Sequence, residues 1–332
     1  MSNRKQFVSV MGHKSSRHEI KYGVPQGSVL GPLLFLIYIN DIQNANNTAL
    51  LNLFADDTSL FVFDKDVNNL FITCNNVLES INKWFTANKL NLSLDKCVYT
   101  YFHRKNKNLT ISQKLYINGM EIQRVETSKY LGIFIDENLT WHEHIQYIIS
   151  KLLKFCSIFY KLRSIIPHQI LKTLYFSLVH PHLTYCVEIY ANTYTKYLDP
   201  LIKLNNKILR ILQNQKLHYP VKKLYTSYNC IPVPQLHEYS ILLLMHKFNY
   251  NKEKLPLIFQ VYFTENFQVH KHNTRQVNLL HLNRTNTTQG QRSIRFKGCK
   301  LWNHIPEVIR SNRGIHTFKK QLKFYLMIDS AE

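Results

Sequence analysis

Acidic residues are scarce in this sequence. Asp and Glu together number 21 against 42 Lys and Arg, a formal charge of +21 over 332 residues. Such an excess suits a polyanion, either nucleic acid or an anionic membrane, although a Lys-rich solvated exterior gives the same count. Cysteine is sparse as well. The six cysteines stand at 74, 97, 156, 186, 230 and 299 with no CxxC pair. That argues against a disulfide framework or a four-cysteine zinc site and suits a reducing compartment. His142, His144, Cys156, His180, His182 and Cys186 fit no standard zinc spacing either. Long apolar runs are missing too. The longest, residues 33–39, is too short to span a bilayer, and no signal peptide is recognisable at the start. No membrane partner is expected, which leaves nucleic acid as the favoured polyanion.

What is present supports a folded chain. The hydrophobic fraction is 45%, and the length allows two or three domains with sizeable cores. The basic residues are spread along the chain, so a long basic surface is expected rather than one charged arm.

Two stretches carry chemistry. In Asn52-Leu53-Phe54-Ala55-Asp56-Asp57-Thr58-Ser59-Leu60-Phe61-Val62, adjacent carboxylates sit between two β-prone runs. The pattern predicts strand, tight turn, strand, with Asp56 and Asp57 at the tip. Carboxylates so placed suit Mg²⁺, which keeps several waters and shares phosphate-bearing substrates. A solvated Asp-Asp turn is the plain alternative. The second stretch is Gly23-Val24-Pro25-Gln26-Gly27-Ser28-Val29-Leu30-Gly31-Pro32, ahead of an apolar run over 33–42. Ser28 is a candidate N-cap, leaving backbone N–H groups that face outward for a phosphate or sugar, with Gly27 permitting close approach. An ordinary capped loop would read the same.

Residues 1–22 read as an entry strand or as a hairpin turning at Gly12, and 66–88 as an amphipathic helix packed on a sheet. A turn and strand over 90–102 and a β-rich run over 109–136, with a hairpin at Asn118-Gly119, complete an α+β pattern with an antiparallel sheet. From Trp141 the pattern is helical, with helices expected near 145–159, 170–190 and 198–213. The last alternates apolar residues with Lys203, Lys207 and Arg210, which suits a bundle lying along a nucleic-acid backbone. After about residue 217 a third segment has a helix over 234–250, a polar stretch over 270–291, and then runs over 294–309 and 317–327. Arg275, Arg284, Arg292, Arg295 and Lys297, set among Asn, Thr and Gln with little apolar pattern, read as an extended arm on phosphates or as a loop.

Taken together, the Gly23-to-Pro32 stretch and Phe54-Ala55-Asp56-Asp57 closely resemble the reverse transcriptases of non-LTR retrotransposons of the Jockey, CR1 and RTE-like kind. Leu94-Asp95-Lys96 and Tyr130-Leu131-Gly132 follow in the family's order. Leu178-Val179-His180-Pro181-His182-Leu183-Thr184-Tyr185 resembles the thumb region of such elements, and Arg284-Thr285 followed by Arg295-Phe296-Lys297-Gly298-Cys299-Lys300-Leu301-Trp302-Asn303-His304-Ile305-Pro306 resembles their tail. The resemblance implies a right-hand polymerase palm over 1–138, a helical thumb over 139–216 and a mixed C-terminal region over 217–332. It implies RNA-directed DNA polymerase chemistry on an RNA template, a DNA primer and deoxynucleotide triphosphates, with Mg²⁺, or Mn²⁺ in its place. Asp56 would be the ligand of both ions, assisted by Asp57. Lys96 would donate a proton to pyrophosphate, and Gln26, Gly27 and Ser28 would line the nucleotide and template pocket. Leu131 and Gly132 would form the primer grip. Such an enzyme would act inside the cell, in cytoplasm, nucleus or both.

The match is incomplete at its start. The family places another metal-binding Asp on a strand before the Gln-Gly loop, but residues 1–22 contain no Asp and only one acid, Glu19. Asp41 is no substitute, because Tyr38-Ile39-Asn40-Asp41-Ile42 matches the end of the family's helix. The fingers and the endonuclease of such elements are absent from these residues too. Alone, the chain is expected to have little or no polymerase activity. The alternative is a non-catalytic, nucleic-acid-binding remnant of such an enzyme.

Overall fold

The computed structural model describes residues 4–20, 23–25, 27–103, 112–269 and 279–329. The chain divides into two compact units, residues 1–101 with 105–125, and 102–104 with 126–332.

The first unit opens with two nested antiparallel pairs. Strand β1 (Arg4–Gln6) pairs with β4 (His18–Ile20), and β2 (Ser9–Val10) with β3 (His13–Lys14) around Met11 and Gly12. Helix α1 (Gly31–Ile39) runs into a 3₁₀ turn over Asn40–Ala45. Strands β5 (Leu50–Phe54) and β6 (Asp57–Phe61) form a hairpin, and α2 (Val67–Ala87) follows. Asp66 caps α2 by accepting the Asn69 N–H at 2.9 Å, a standard N-cap bond. The apolar face of α2 serves two cores. Val77, Ile81 and Phe85 pack with Ile39 and Ile42 and with Leu51, Leu53 and Leu60 of the hairpin. Phe71 packs with Leu115, Ile117 and Ile122.

The rest of this unit is short strands: β7 (Val98–Tyr99), β8 (Tyr116–Ile117), β9 (Met120–Glu121) and β10 (Gln123–Arg124). The Asn118-Gly119 hairpin forms as its residues require, with φ +52 and +75 in the turn between β8 and β9. The broad antiparallel sheet expected from the sequence is not found. Among the described residues every sheet has two strands, and β7 pairs with β10 in parallel. The run over 98–102 pairs along only two residues, so it cannot join the other strands into one sheet.

The second unit begins with β11 (Thr127–Tyr130) and β12 (Ile133–Asp136), an antiparallel pair turning at Leu131 and Gly132. Asp136 is buried at its end. Its carboxylate accepts the N–H groups of Asn138, Thr140 and Trp141 at 3.2, 2.9 and 2.7 Å and so fixes the start of α3 (His142–Leu162). The single helix expected over 170–190 is broken. Helix α4 (His168–Leu174) gives way to a π turn over Tyr175–Val179, then α5 (His180–Thr184) and α6 (Val187–Tyr190). Pro181 has no N–H to give the preceding turn and its ring crowds the carbonyl four residues back, so the helix widens there. Helix α7 (Thr195–Leu212) buries Leu201, Leu204, Ile208 and Leu212 and turns Lys203 and Lys207 outward, as its periodicity predicts.

Then come α8 (Val221–Tyr228), α9 (Val233–Tyr250), short α10 (Leu257–Gln260) and α11 (Asn266–Val269), α12 (Thr288–Arg292), α13 (Ile294–His304), α14 (Glu307–Arg310) and α15 (Ile315–Asp329). One continuous core runs from Ile145 to Leu326. A buried polar chain crosses it: the Tyr175 hydroxyl donates to Asn205 Oδ1 (3.2 Å), and Asn205 Nδ2 donates to the Tyr225 hydroxyl (3.0 Å). No helix among the described residues is long and apolar enough to cross a membrane.

The arm-or-loop expectation for the C-terminal basic residues is corrected in part. Arg292 lies 3.8 Å from the Tyr194 ring centroid, and Arg295 5.8 Å from that of Tyr262. Lys297 Nζ donates to His237 Nε2 at 2.8 Å. Ser293 starts α13 by accepting the Phe296 N–H, which commits these side chains to a packed helix. Arg275 lies outside the described residues.

Candidate active site

The β5–β6 hairpin is built as its sequence predicts. Phe54 pairs with Asp57, so Ala55 and Asp56 form the connecting loop. Ala55 takes φ +50, a conformation that costs a residue with a Cβ about 1 kcal/mol or more. Leu51, Leu53 and Leu60 pack toward α2, which anchors the strands and leaves Asp56 and Asp57 exposed at the end. Phe54 is also 62% exposed.

The loop before α1 differs in detail from its reading. Ser28 N–H donates to Pro25 O at 3.2 Å, and Gly27 sits at φ +78, which only glycine adopts easily. Ser28 Oγ accepts the Gly31 N–H at 3.1 Å, but Ser28 is not the N-cap expected of it, because the helix begins at Gly31 and Leu30 holds the N-cap position with no side-chain cap bond. With that N–H taken, and Pro32 having none, the helix start offers an anion fewer donors than the sequence suggested. Gln26 lies outside the described residues.

Lys96 ends a 3₁₀ turn over Leu94–Lys96 and is exposed. Among the described residues no hydrogen bond or ion pair joins it to Asp56 or Asp57. These residues all belong to the first unit, whereas Leu131 and Gly132 belong to the second. There they take φ +46 and +85 in a tight turn. The Tyr185 hydroxyl donates to Leu131 O at 2.6 Å. Tyr185 was legible only as part of a motif, because a contact 54 residues away leaves no local trace.

The Asp pair meets the needs of one hydrated Mg²⁺, which binds through one or two carboxylates, waters and substrate phosphate. It does not supply the ligands of two. Among the described residues no group of three or more His, Cys, Asp or Glu is disposed to hold a metal. That covers the zinc grouping too. His144 is instead a buried side chain whose Nδ1 accepts the Phe134 N–H at 3.4 Å, and burial pushes its pKa down to about 4.

Residues 2–135, which contain both the Gly27 loop and the Asp pair, match the family model for reverse transcriptase (RNA-dependent DNA polymerase). The chain is homologous to reverse transcriptases. It is 28% identical over 227 residues to the RNA-directed DNA polymerase from mobile element jockey of Drosophila melanogaster, covering 63% of this chain and 24% of that protein. The jockey polymerase of Drosophila funebris is 26% identical over 62% of this chain and 23% of its own length. The probable RNA-directed DNA polymerase from transposon X-element of Drosophila melanogaster is 24% identical over 63% and 24%. This reverse transcriptase homologue thus spans about a quarter of the length of the curated relatives it matches. No solved structure matches it.

Proposed function

We infer that this chain is the palm and thumb portion of a non-LTR retrotransposon RNA-directed DNA polymerase. In this reading residues 1–138 belong to the palm, 139–216 to the thumb and 217–332 to the element's C-terminal region. The observation that carries it is the anchored hairpin that presents Asp56 and Asp57 side by side within the matched segment. Its substrates would be an RNA template, a DNA primer and deoxynucleotide triphosphates, met in cytoplasm or nucleus.

When bound, Mg²⁺ would neutralise phosphate charge and activate the primer 3′-hydroxyl for in-line displacement of pyrophosphate. Asp56 would hold it from the loop, with Asp57 beside it on β6. Gly27 and Ser28, with Gln26, would receive the nucleotide and template base. Lys96 would protonate the leaving pyrophosphate. The Leu131-Gly132 turn would grip the primer, held in shape by the Tyr185 hydroxyl on Leu131 O. These 332 residues alone would copy weakly or not at all, because two-metal transfer needs a further carboxylate and the described residues gather no third. That same observation favours the second reading, a non-catalytic remnant that only holds nucleic acid.

Mn²⁺ binding followed by electron paramagnetic resonance tests the metal pair directly. One weak site is expected in the natural chain and none in the double variant Asp56→Ala, Asp57→Ala. Equal binding by both would remove the Asp pair from the account.

A further inference from the structure

The ribbon formed by β1 to β4 buries almost none of its own surface. Every residue from 5 to 19 is exposed, and none of them joins a core among the described residues. A two-stranded ribbon is marginally stable in water, so one this open gains stability from whatever covers it.

Its shape is nonetheless specified. Met11 and Gly12, at φ +48 and +86, make the two-residue loop between Val10 and His13, with the positive φ values that match strand twist. Gln6 pairs with His18 and Ser9 with Lys14, so Phe7 and Val8 face three residues, 15–17. The extra residue makes a β-bulge. Ser15 N–H donates to Val8 O at 2.9 Å and Val8 N–H donates to Ser15 Oγ at 3.0 Å, which fixes it. Bulges re-aim side chains. Here Lys14 Nζ lies 5.5 Å and the Arg17 guanidinium carbon 6.0 Å from the Phe7 ring centroid.

Phe7 is 43% exposed beside these two cations. Strand alternation places Lys5 on the same face. The one acid of the ribbon, Glu19, stands opposite Lys5. Among the described residues no ion pair engages Lys14 or Arg17. Charge therefore selects an anionic occupant. A second copy of the chain would bring its own excess of cations. An apolar protein face could cover Phe7 only by desolvating two unpaired charges. A duplex hides its base faces, which leaves Phe7 nothing to stack on. A single strand offers both an open base and phosphates on either side of it.

We propose that this ribbon face holds single-stranded nucleic acid, one base stacked on Phe7 and the flanking phosphates on Lys14 and Arg17. The proposal rests on the nucleic-acid function above and adds a contact on a segment to which that function gave no role.

The test is photocrosslinking of the full chain to a short single strand carrying 5-iodouracil, with the crosslinked peptide identified by mass spectrometry. A crosslink at Phe7 is expected. In parallel, Phe7→Ala should weaken single-strand binding about tenfold, the order of one lost stacking contact, and leave duplex binding and the salt slope as in the natural chain. Phe7→Tyr, which keeps a ring, should bind like the natural chain. The double variant Lys14→Gln, Arg17→Gln should reduce the single-strand salt slope by about 1.4, at roughly 0.7 for each of two phosphates. Crosslinks elsewhere, with Phe7→Ala binding normally, would overturn the ribbon site and leave the nucleic-acid reading standing. Equal losses on single strand and duplex would overturn the stacked base. No binding of either by the natural chain would overturn the nucleic-acid reading, and the ribbon site with it.

Discussion

Single residues carry the chemistry and much of the local strain. Asp56 and Asp57 were legible because two charges between β-prone runs have few places to go but a turn. Asp136 was read only as the end of a strand. Its work is to satisfy three backbone N–H groups between β12 and α3, at distances that only the folded chain fixes. Asp136→Ala leaves those donors without their acceptor and should cost about 2 kcal/mol of stability, measured by urea unfolding; a loss under about 0.5 kcal/mol would contradict that role. Two histidines set a pH dependence. His144 and His237 are held to about 4 in the fold, both chiefly by burial, with Lys297 adding to the effect at His237. The unfolded chain takes up these protons near 6.5, so their neutral forms favour the fold fully above that pH. Stability should therefore fall as pH drops from about 6.5 toward 4. An unfolding free energy that stays flat over that window would contradict the burial of these rings.

Elements were legible where one periodicity governs a whole segment. Helices α2, α3 and α7 form where apolar residues recur at helical spacing, and the Asn118-Gly119 turn forms where its residue types demand it. The interval 170–190 was misread because its apolar residues keep a helical rhythm while Pro181 breaks the hydrogen bonding beneath it. Rhythm reports burial, not backbone continuity. The basic C-terminal run was misread for the converse reason. Its apolar pattern is thin, but Ser293 and Gly298 provide a start and a close approach. An added Cβ at Gly298 would lie 2.8 Å from Met245 Sδ, a buried side chain on α9. Gly298→Ala should thus destabilise the chain by about 1–3 kcal/mol, seen as a lower Tm. An unchanged or raised Tm would show that α13 and α9 do not pack so closely.

At the scale of the whole molecule, charge and core divide the account. The excess of 21 positive charges was plain in the sequence, and α7 displays part of it on a face opposite its buried one. Binding to an RNA strand should weaken steeply as salt rises, with a slope that counts the phosphates neutralised. Which helices share a core was not legible, since the continuous core from Ile145 to Leu326 joins residues far apart in sequence. Nor could the sequence show that the strands of the first unit would remain in pairs. Its motifs report likeness to reverse transcriptases more readily than they specify a working site, because two carboxylates on a hairpin would be only part of the two-metal centre proposed for it. The most direct measurement is primer extension on an RNA template with Mg²⁺ by residues 1–332, beside the double variant Asp56→Ala, Asp57→Ala and with template binding measured in the same samples. The account predicts salt-sensitive template binding by both proteins and little or no extension by either. Robust extension by the natural chain, abolished in the double variant, would contradict it by showing that these residues assemble a complete metal site.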